Sequence, residues 1–378
     1  MNQTIKGLVR SLGPVYRGLS RIRQLLLGTY LRMAHRRGVS PKKIVFSSFK
    51  GASCSDSPLA IAQALHALRP DADIVFQLRP DAPAPDWIRR ANPGSLAWLR
   101  DVATARVIVD NFNRPFYQRK FPDQKYVQTW HGDRGFKKVL WDMDPHGGFP
   151  DGEDMDLAVA GSDFCESMYR TAFRYSGEVL KVGLPRNDCL LHPLDEIQAR
   201  RACGLPETGK IALYAPTFRD SARGGAFRPD LDLAWVAQAL RQATGEDWQI
   251  VSRAHDQNTA VAGAAIDKTD FPEMSLLMQA SDLLITDYSS CAGDFPLLMR
   301  PVILFHAPGR FERDLYFDVE ASPFPIAHDS QQLQALFGQL ERAEKNDRAI
   351  LDFFGAHETG HSAQAVAQRI AEWMDSNP

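Results

Sequence analysis

The sequence predicts an α/β fold of two doubly wound parallel sheets, preceded by an amphipathic helical segment. Three observations predict it. Short β-rich runs alternate with helix-period stretches from Lys42 onward, the rhythm breaks near residues 191–207 and restarts, and polar clusters fall where apolar runs end. Parallel neighbours need long crossover connections, so alternation of this kind marks parallel sheets carrying helices. At 378 residues, 44% hydrophobic and 24% charged, the chain has apolar material for two cores.

The N-terminal segment, residues 1–40, is the first element. From Met1 to Lys43 there are ten bases and no acid, so this stretch is +10 and the remainder −12, since the whole chain is −2. Ile5, Leu8, Leu12, Leu19, Ile22, Leu25, Leu26 and Met33 interleave with the bases, many at helical spacing. Such a segment suits an anionic membrane surface, or else a solvated helix packed on the body. Arg10, Arg17, Arg21 and Arg23 interrupt any signal-peptide core, and no apolar run is long enough to span a bilayer.

Next come the runs KKIVFSS, ADIVFQL, RVIVDNF, KYVQTW, MDLAVAGS and EVLKVGLP, with helices at PLAIAQALHAL and SLAWLRDVATA. They define a first unit over residues 41–195. His192-Pro193 and Leu205-Pro206 mark a linker. The second unit, residues 205–378, holds KIALYAPT, WQIVSRAH, DLLITDYSS and PLLMRPVILFHA, with helices at WVAQALRQAT, MSLLMQAS and AQAVAQRIAEWM. A pI near 6.6 gives no reason to expect nucleic acid. Five scattered cysteines without a CxxC pair argue for a reducing compartment and against a zinc ribbon. A cytoplasmic protein peripheral to the inner membrane face is expected.

Four polar clusters lie at expected strand ends, where doubly wound sheets bind ligands. The first, QTWHGDRGFKK, contains His131, Gly132, Lys137 and Lys138; the second, YAPTFRD, contains Thr217, Arg219 and Asp220. The third carries Arg253 and His255, and the fourth Asp287, Ser289 and Ser290. His131 and His255 fall after β-like runs in different units, so a closed cleft would bring two proton-exchanging groups together. Ser289 and Ser290 open a helix and suit either capping or phosphate oxygens. Lys137 and Lys138 suit either an anionic acceptor or a solvated face.

Taken in order, these clusters resemble the CDP-glycerol glycerophosphotransferases of teichoic-acid and capsule synthesis. The resemblance rests on Trp130-His131-Gly132 with Lys137-Lys138, Tyr214 to Asp220, Arg253-Ala-His255, and Ile285 to Ser290 followed by Asp294-Phe295 and Arg300-Pro301. It extends from Lys42 to the C-terminus and includes Phe49-Lys-Gly51, Asp56-Ser-Pro58 and the stretch from Arg313 to Asp318. It implies a GT-B-like pair of Rossmann-like units, with a CDP-alcohol donor mainly in the second and a lipid-linked glycan or polyol-phosphate acceptor. On this resemblance His131 would be general base, His255 would steady the phosphate, and Arg219 and Arg253 would clamp oxygens. No metal cluster or cofactor is expected, so cations and a helix terminus would meet the phosphate charge. The family commonly has HGTPLKK where this chain has HGDRGFKK, so acceptor contacts are expected to differ there. Lacking the large polymerases' N-terminal extension, the chain resembles the compact, primase-sized members. A nucleotide-sugar glycosyltransferase and a non-catalytic membrane scaffold are the alternatives.

Overall fold

The computed structural model describes residues 13–147, 152–217, 231–253, 266–306 and 314–376. Seven strands form one sheet: β1 (Ser40–Ser47), β2 (Asp73–Gln77), β3 (Arg89–Ala91), β4 (Ala105–Asp110), β5 (Lys125–Gln128), β6 (Leu157–Ala160) and β7 (Glu178–Lys181). Their order is β3-β2-β1-β4-β5-β6-β7, and each pairing is parallel. A second sheet follows, of β8 (Lys210–Ala215), β9 (Trp248–Ser252), β10 (Ile266–Asp267), β11 (Leu283–Thr286), β12 (Val302–Phe305) and β13 (Ile326–Ala327). Its order, β10-β9-β8-β11-β12-β13, is again parallel throughout. The α/β class with parallel sheets is therefore as the alternation predicts.

Alternate strand residues enter different cores, which is why the strands read as unbroken apolar runs. In β1, Val45 packs into the cluster on one face, while Ile44 and Phe46 join the cluster on the other. The second sheet divides likewise: Leu213 and Leu284 go to one side, Ala212 and Ile285 to the other.

Two features depart from a simple division of the chain. The stretch expected to be a linker carries the helix Glu196–Ala202, capped by Asp195 and held by the buried Arg200, which donates to Asp282 and to carbonyl oxygens of Glu207 and Gly209. The last helix, Ser362–Asp375, returns to the first sheet: Val366, Ala367, Ile370 and Met374 pack beside Ile44, Phe46 and Val107. Arg106 on β4 donates to the carbonyl of Trp373, and Arg69 pairs with Asp375.

One interior acid is out of balance. Asp347, on the helix Ala343–Phe354, is wholly buried, and neither carboxylate oxygen has a hydrogen-bond partner among the described residues. Burial raises it from an ordinary 3.8 to about 8. The native state then binds more protons than the unfolded chain between those values, so stability falls as pH rises through that window. Asp347→Asn should raise stability by on the order of 1–3 kcal/mol at pH 8 and by almost nothing near pH 4. Thermal melts of both proteins across that range check it, and an equal gain at both ends would refute the assignment.

Candidate active site

The carboxyl ends of both sheets face a shared open cleft. Phe49, Ser55, Asp56, His131 and Arg186 line it from the first sheet, and Thr217, Arg253, Glu273, Ser289, Ser290 and Asp294 from the second.

His131 follows β5 and is held tightly. Its Nδ1 lies 2.7 Å from the carbonyl oxygen of Asn111. A carbonyl can only accept, so Nδ1 carries the proton and a neutral ring keeps its lone pair on Nε2. The ring stacks on Phe112 at 5.0 Å, tilts against Trp130 at 4.2 Å, and meets the edge of Phe49. Trp130 and Phe49 hold left-handed backbone at φ 50 and 48, as does Asp56 at 63. Three strained non-glycine residues around one cleft indicate a geometry imposed by the surrounding structure.

On the opposite wall, Asp287 at the end of β11 accepts from the Thr217 backbone N–H at 2.7 Å and from its hydroxyl. Asp287 is itself buried, so it sets Thr217 rather than lining the cleft. Ser290 precedes the short helix Cys291–Asp294 and makes no capping side-chain bond, which removes the plain capping reading for that hydroxyl. Gly132 faces it: a Cβ there would lie 3.9 Å from the Ser290 side chain. Arg253, after β9, donates to the carbonyl of Phe271 at 3.1 Å, and burial lowers its pKa from the ordinary value. Beside it, burial and the charge of Asp56 push Glu273 up to about 7, so this carboxyl loses its charge near neutral pH.

Five of the residues singled out in the sequence thus meet in one cleft: His131, Thr217, Arg253, Ser289 and Ser290. Lys137 and Lys138 are not among the described residues that line it. Lys137 bridges Leu315 in antiparallel fashion, and the Lys138 N–H donates to the Asp314 carbonyl. His255, Arg219 and Asp220 lie outside the described residues.

Asp133 and Arg134, in the HGDRGFKK stretch where acceptor contacts are expected to differ, are both buried in an ionic network. Asp133 accepts from the Gly161 N–H at 2.7 Å. Arg134 donates to Asp294 at 2.7 Å, to Glu358 at 2.5 Å, and to the carbonyls of Gly161 and Gly293. Its stem lies on Gly293, where an added Cβ would come within 2.4 Å of the Arg134 Cβ. Arg186 extends the network into the cleft, binding Asp56, Asp294 and the carbonyl of His131 at 2.8–3.0 Å. Linear reading missed Arg186, although it too follows a strand, β7; Glu273 carried no motif at all. Arg134→Met would remove the shared cation from three buried carboxylates, Asp133, Asp294 and Glu358, and should cost about 3–5 kcal/mol in chemical denaturation. A loss below about 1 kcal/mol would mean that the network is dispensable.

Comparison with known proteins identifies the family and the fold. A Bacillus subtilis (strain 168) teichoic acid poly(glycerol phosphate) polymerase is 28% identical over 98% of this chain and 54% of its own length, so the chain spans about half of that relative. A Staphylococcus aureus (strain NCTC 8325 / PS 47) teichoic acid glycerol-phosphate transferase is 28% identical, over 86% of this chain and 92% of its own. The solved structure of the wall teichoic acid polymerase TagF superposes with a TM-score of 0.81 at 25% identity, covering 97% of this chain and 98% of that one. With residues 29–372 matching the family model for CDP-glycerol:poly(glycerophosphate) glycerophosphotransferases, the chain belongs to that family.

Proposed function

We propose that this protein transfers a polyol phosphate, most simply glycerol phosphate, from a CDP-activated donor to a hydroxyl of a lipid-linked acceptor in teichoic-acid or capsule-type synthesis. The observation that carries this reading is His131, its Nδ1 tied to a carbonyl, in one cleft with Arg253, Thr217, Ser289 and Ser290. Nε2 takes the proton of the acceptor hydroxyl as its oxygen attacks the phosphorus distal to cytidine. An O–P bond forms, the bridging O–P bond breaks, and CMP leaves with the bond's electron pair. Arg253 and the two serines meet the charge on the phosphates, and His255 would steady the same side.

On this reading the chain is a GT-B-like pair of Rossmann-like units, residues 41–195 binding acceptor and 205–378 binding donor. The final helix lies on the first unit's sheet. The converging cleft favours an enzyme over a scaffold. Incubating purified full-length protein with CDP-glycerol and a lipid-linked acceptor should release CMP, and His131→Ala should lower kcat by ~100-fold or more with an unchanged melting temperature. No CMP release from any CDP-alcohol would refute the activity. Near-normal turnover in the variant would remove His131 from the mechanism.

The N-terminal helix supports placement at the cytoplasmic membrane face. The helix Gly13–His35 docks through its C-terminal end, where Leu31 and Ala34 are buried and His35 stacks on Phe121 at 3.7 Å. Leu19, Ile22, Leu25 and Leu26 are each more than half exposed, beside Arg21 and Arg23. A packed, solvated helix would not leave four large apolar side chains open. Among the described residues no helix is long and apolar enough to cross a membrane. Each base near an anionic surface contributes about 1 kcal/mol, and apolar insertion adds to it. Changing these four residues to Ser spares the docked end, and should abolish sedimentation with anionic vesicles while sparing turnover of a short soluble acceptor. Failure of the unaltered protein to sediment at low salt would refute the membrane reading.

A further inference from the structure

We propose that His306, Glu320 and His328 form a binding site for a divalent transition-metal ion of the zinc type. The three lie too far apart in the chain for linear spacing to suggest a site, but the register of the second sheet gathers them. β12 and β13 run parallel with Phe305 opposite Ala327, and the His306 N–H donates to the Ala327 carbonyl at 3.2 Å. Each histidine is the first residue beyond its strand, so the two imidazoles emerge side by side at the sheet's carboxyl edge. Their centroids are 4.8 Å apart at 82°. Glu320, on the segment between the two strands, reaches both: Oε2 lies 3.2 Å from Nε2 of His328, and Oε1 lies 3.7 Å from Nε2 of His306. All three donor atoms fall within 4.8 Å of one another. Donors around a tetrahedral ion with bonds of about 2.0–2.1 Å are separated by about 3.3 Å, so Glu320 already stands near that spacing from His328 and the His306 imidazole would close in on the ion.

The hydrogen bonds favour a cation there. His328 Nδ1 is 3.1 Å from the His306 carbonyl oxygen, which can only accept, so the proton sits on Nδ1. In a neutral ring the Nε2 lone pair then points at a carboxylate oxygen, a contact made favourable by a metal ion between them or by a second proton on the ring. His306 Nδ1 lies 3.1 Å from the Tyr288 hydroxyl, which can accept from it or donate to it. A metal-bound imidazole donates its other N–H to an oxygen, a role the His306 carbonyl fills for His328 and the Tyr288 hydroxyl can fill for His306. His306 is buried while the Glu320 side chain is half exposed, which leaves the ion a path in. Two imidazoles and one carboxylate suit Zn²⁺, Co²⁺ or Ni²⁺ and not Mg²⁺ or Ca²⁺. A bound ion would tie the ends of β12 and β13 to Tyr288, the residue before Ser289 in the cleft.

The test uses full-length protein stripped with a chelator, then titrated with Co²⁺ followed by absorption and with Zn²⁺ followed by calorimetry and thermal melting. The unaltered protein should take up one equivalent of either ion and melt at a higher temperature with Zn²⁺, while Mg²⁺ should do neither. His328→Ala should weaken uptake by at least 100-fold. Glu320→Gln, at a half-exposed position that should not disturb folding, should weaken it by at least 10-fold. Absence of a stoichiometric site, or equal uptake by both variants, would overturn the proposal. So would a melting temperature that responds to pH between 5 and 7 but not to metal, since a protonated imidazole–carboxylate pair would then explain the contacts.

Discussion

The cleft depends on one buried charge. Arg134 has no exposure to solvent, and removing a guanidinium from water costs several kcal/mol that its partners must offset; both terminal nitrogens make hydrogen bonds, while Nε has the Asp133 carboxylate at 3.5 Å. Apart from Asp133 beside it, its partners come from elements distant in sequence: Gly161 after β6, Asp294 after β11, and Glu358 ahead of the last helix. Asp294 is the pivot. One oxygen accepts from Arg134 and Asn187, the other from Arg186, which also binds Asp56 and the His131 carbonyl. His131 on one wall and Ser289–Ser290 on the other are thereby referenced to the same carboxylate. The return of the last helix to the first sheet has the same logic, because Glu358 must arrive from that direction.

The strained backbone is explained by the same constraint. Left-handed conformations at Phe49, Asp56 and Trp130 cost on the order of 1–3 kcal/mol each and persist only where neighbours over-determine them. Asp56 is fixed by Arg186, and its carboxylate also accepts from the Ser57 N–H. Trp130 has its N–H held by the Gln128 side chain and its ring set edge-on to Phe173. Phe49 has its N–H held by Asn111, whose carbonyl in turn orients His131. Strain here aims one imidazole.

What was legible in the sequence follows from which interactions are local. β1, β4, β8 and β11 could be read because strands buried on both faces must be apolar throughout. β3, β10 and β13 could not, being edge strands of two or three residues with too little length for a pattern. Among site residues, His131, Thr217, Arg253, Ser289 and Ser290 were legible because a strand end is a local signal with a known use. Arg134 and Glu358 were not, since a buried ion pair joins residues with no sequence relation, and an arginine beside glycine reads by default as exposed. Lys137 and Lys138 are not among the described residues that line the cleft, and their backbone pairs with residues 314–315 are likewise contacts between segments with no sequence relation.

An electrostatic tension remains in a cleft proposed for pyrophosphate, because Asp56, Glu273 and Asp294 all line it. Two of the three are already engaged: Arg186 forms ion pairs with both Asp56 and Asp294. Glu273 is different. Its Oε1 is buried with no hydrogen-bond partner among the described residues, and its pKa of about 7 means that burial and the neighbouring Asp56 resist its ionisation. While Glu273 is protonated, Arg253 faces the cleft without an ionised carboxylate opposing it, and a bound phosphate would add negative charge that pushes Glu273 further toward its neutral form. Ligand charge and carboxyl protonation are therefore coupled. On the proposed function, anion binding in the cleft would weaken as Glu273 ionises near pH 7, so a residue with no recognisable motif would contribute to its pH dependence.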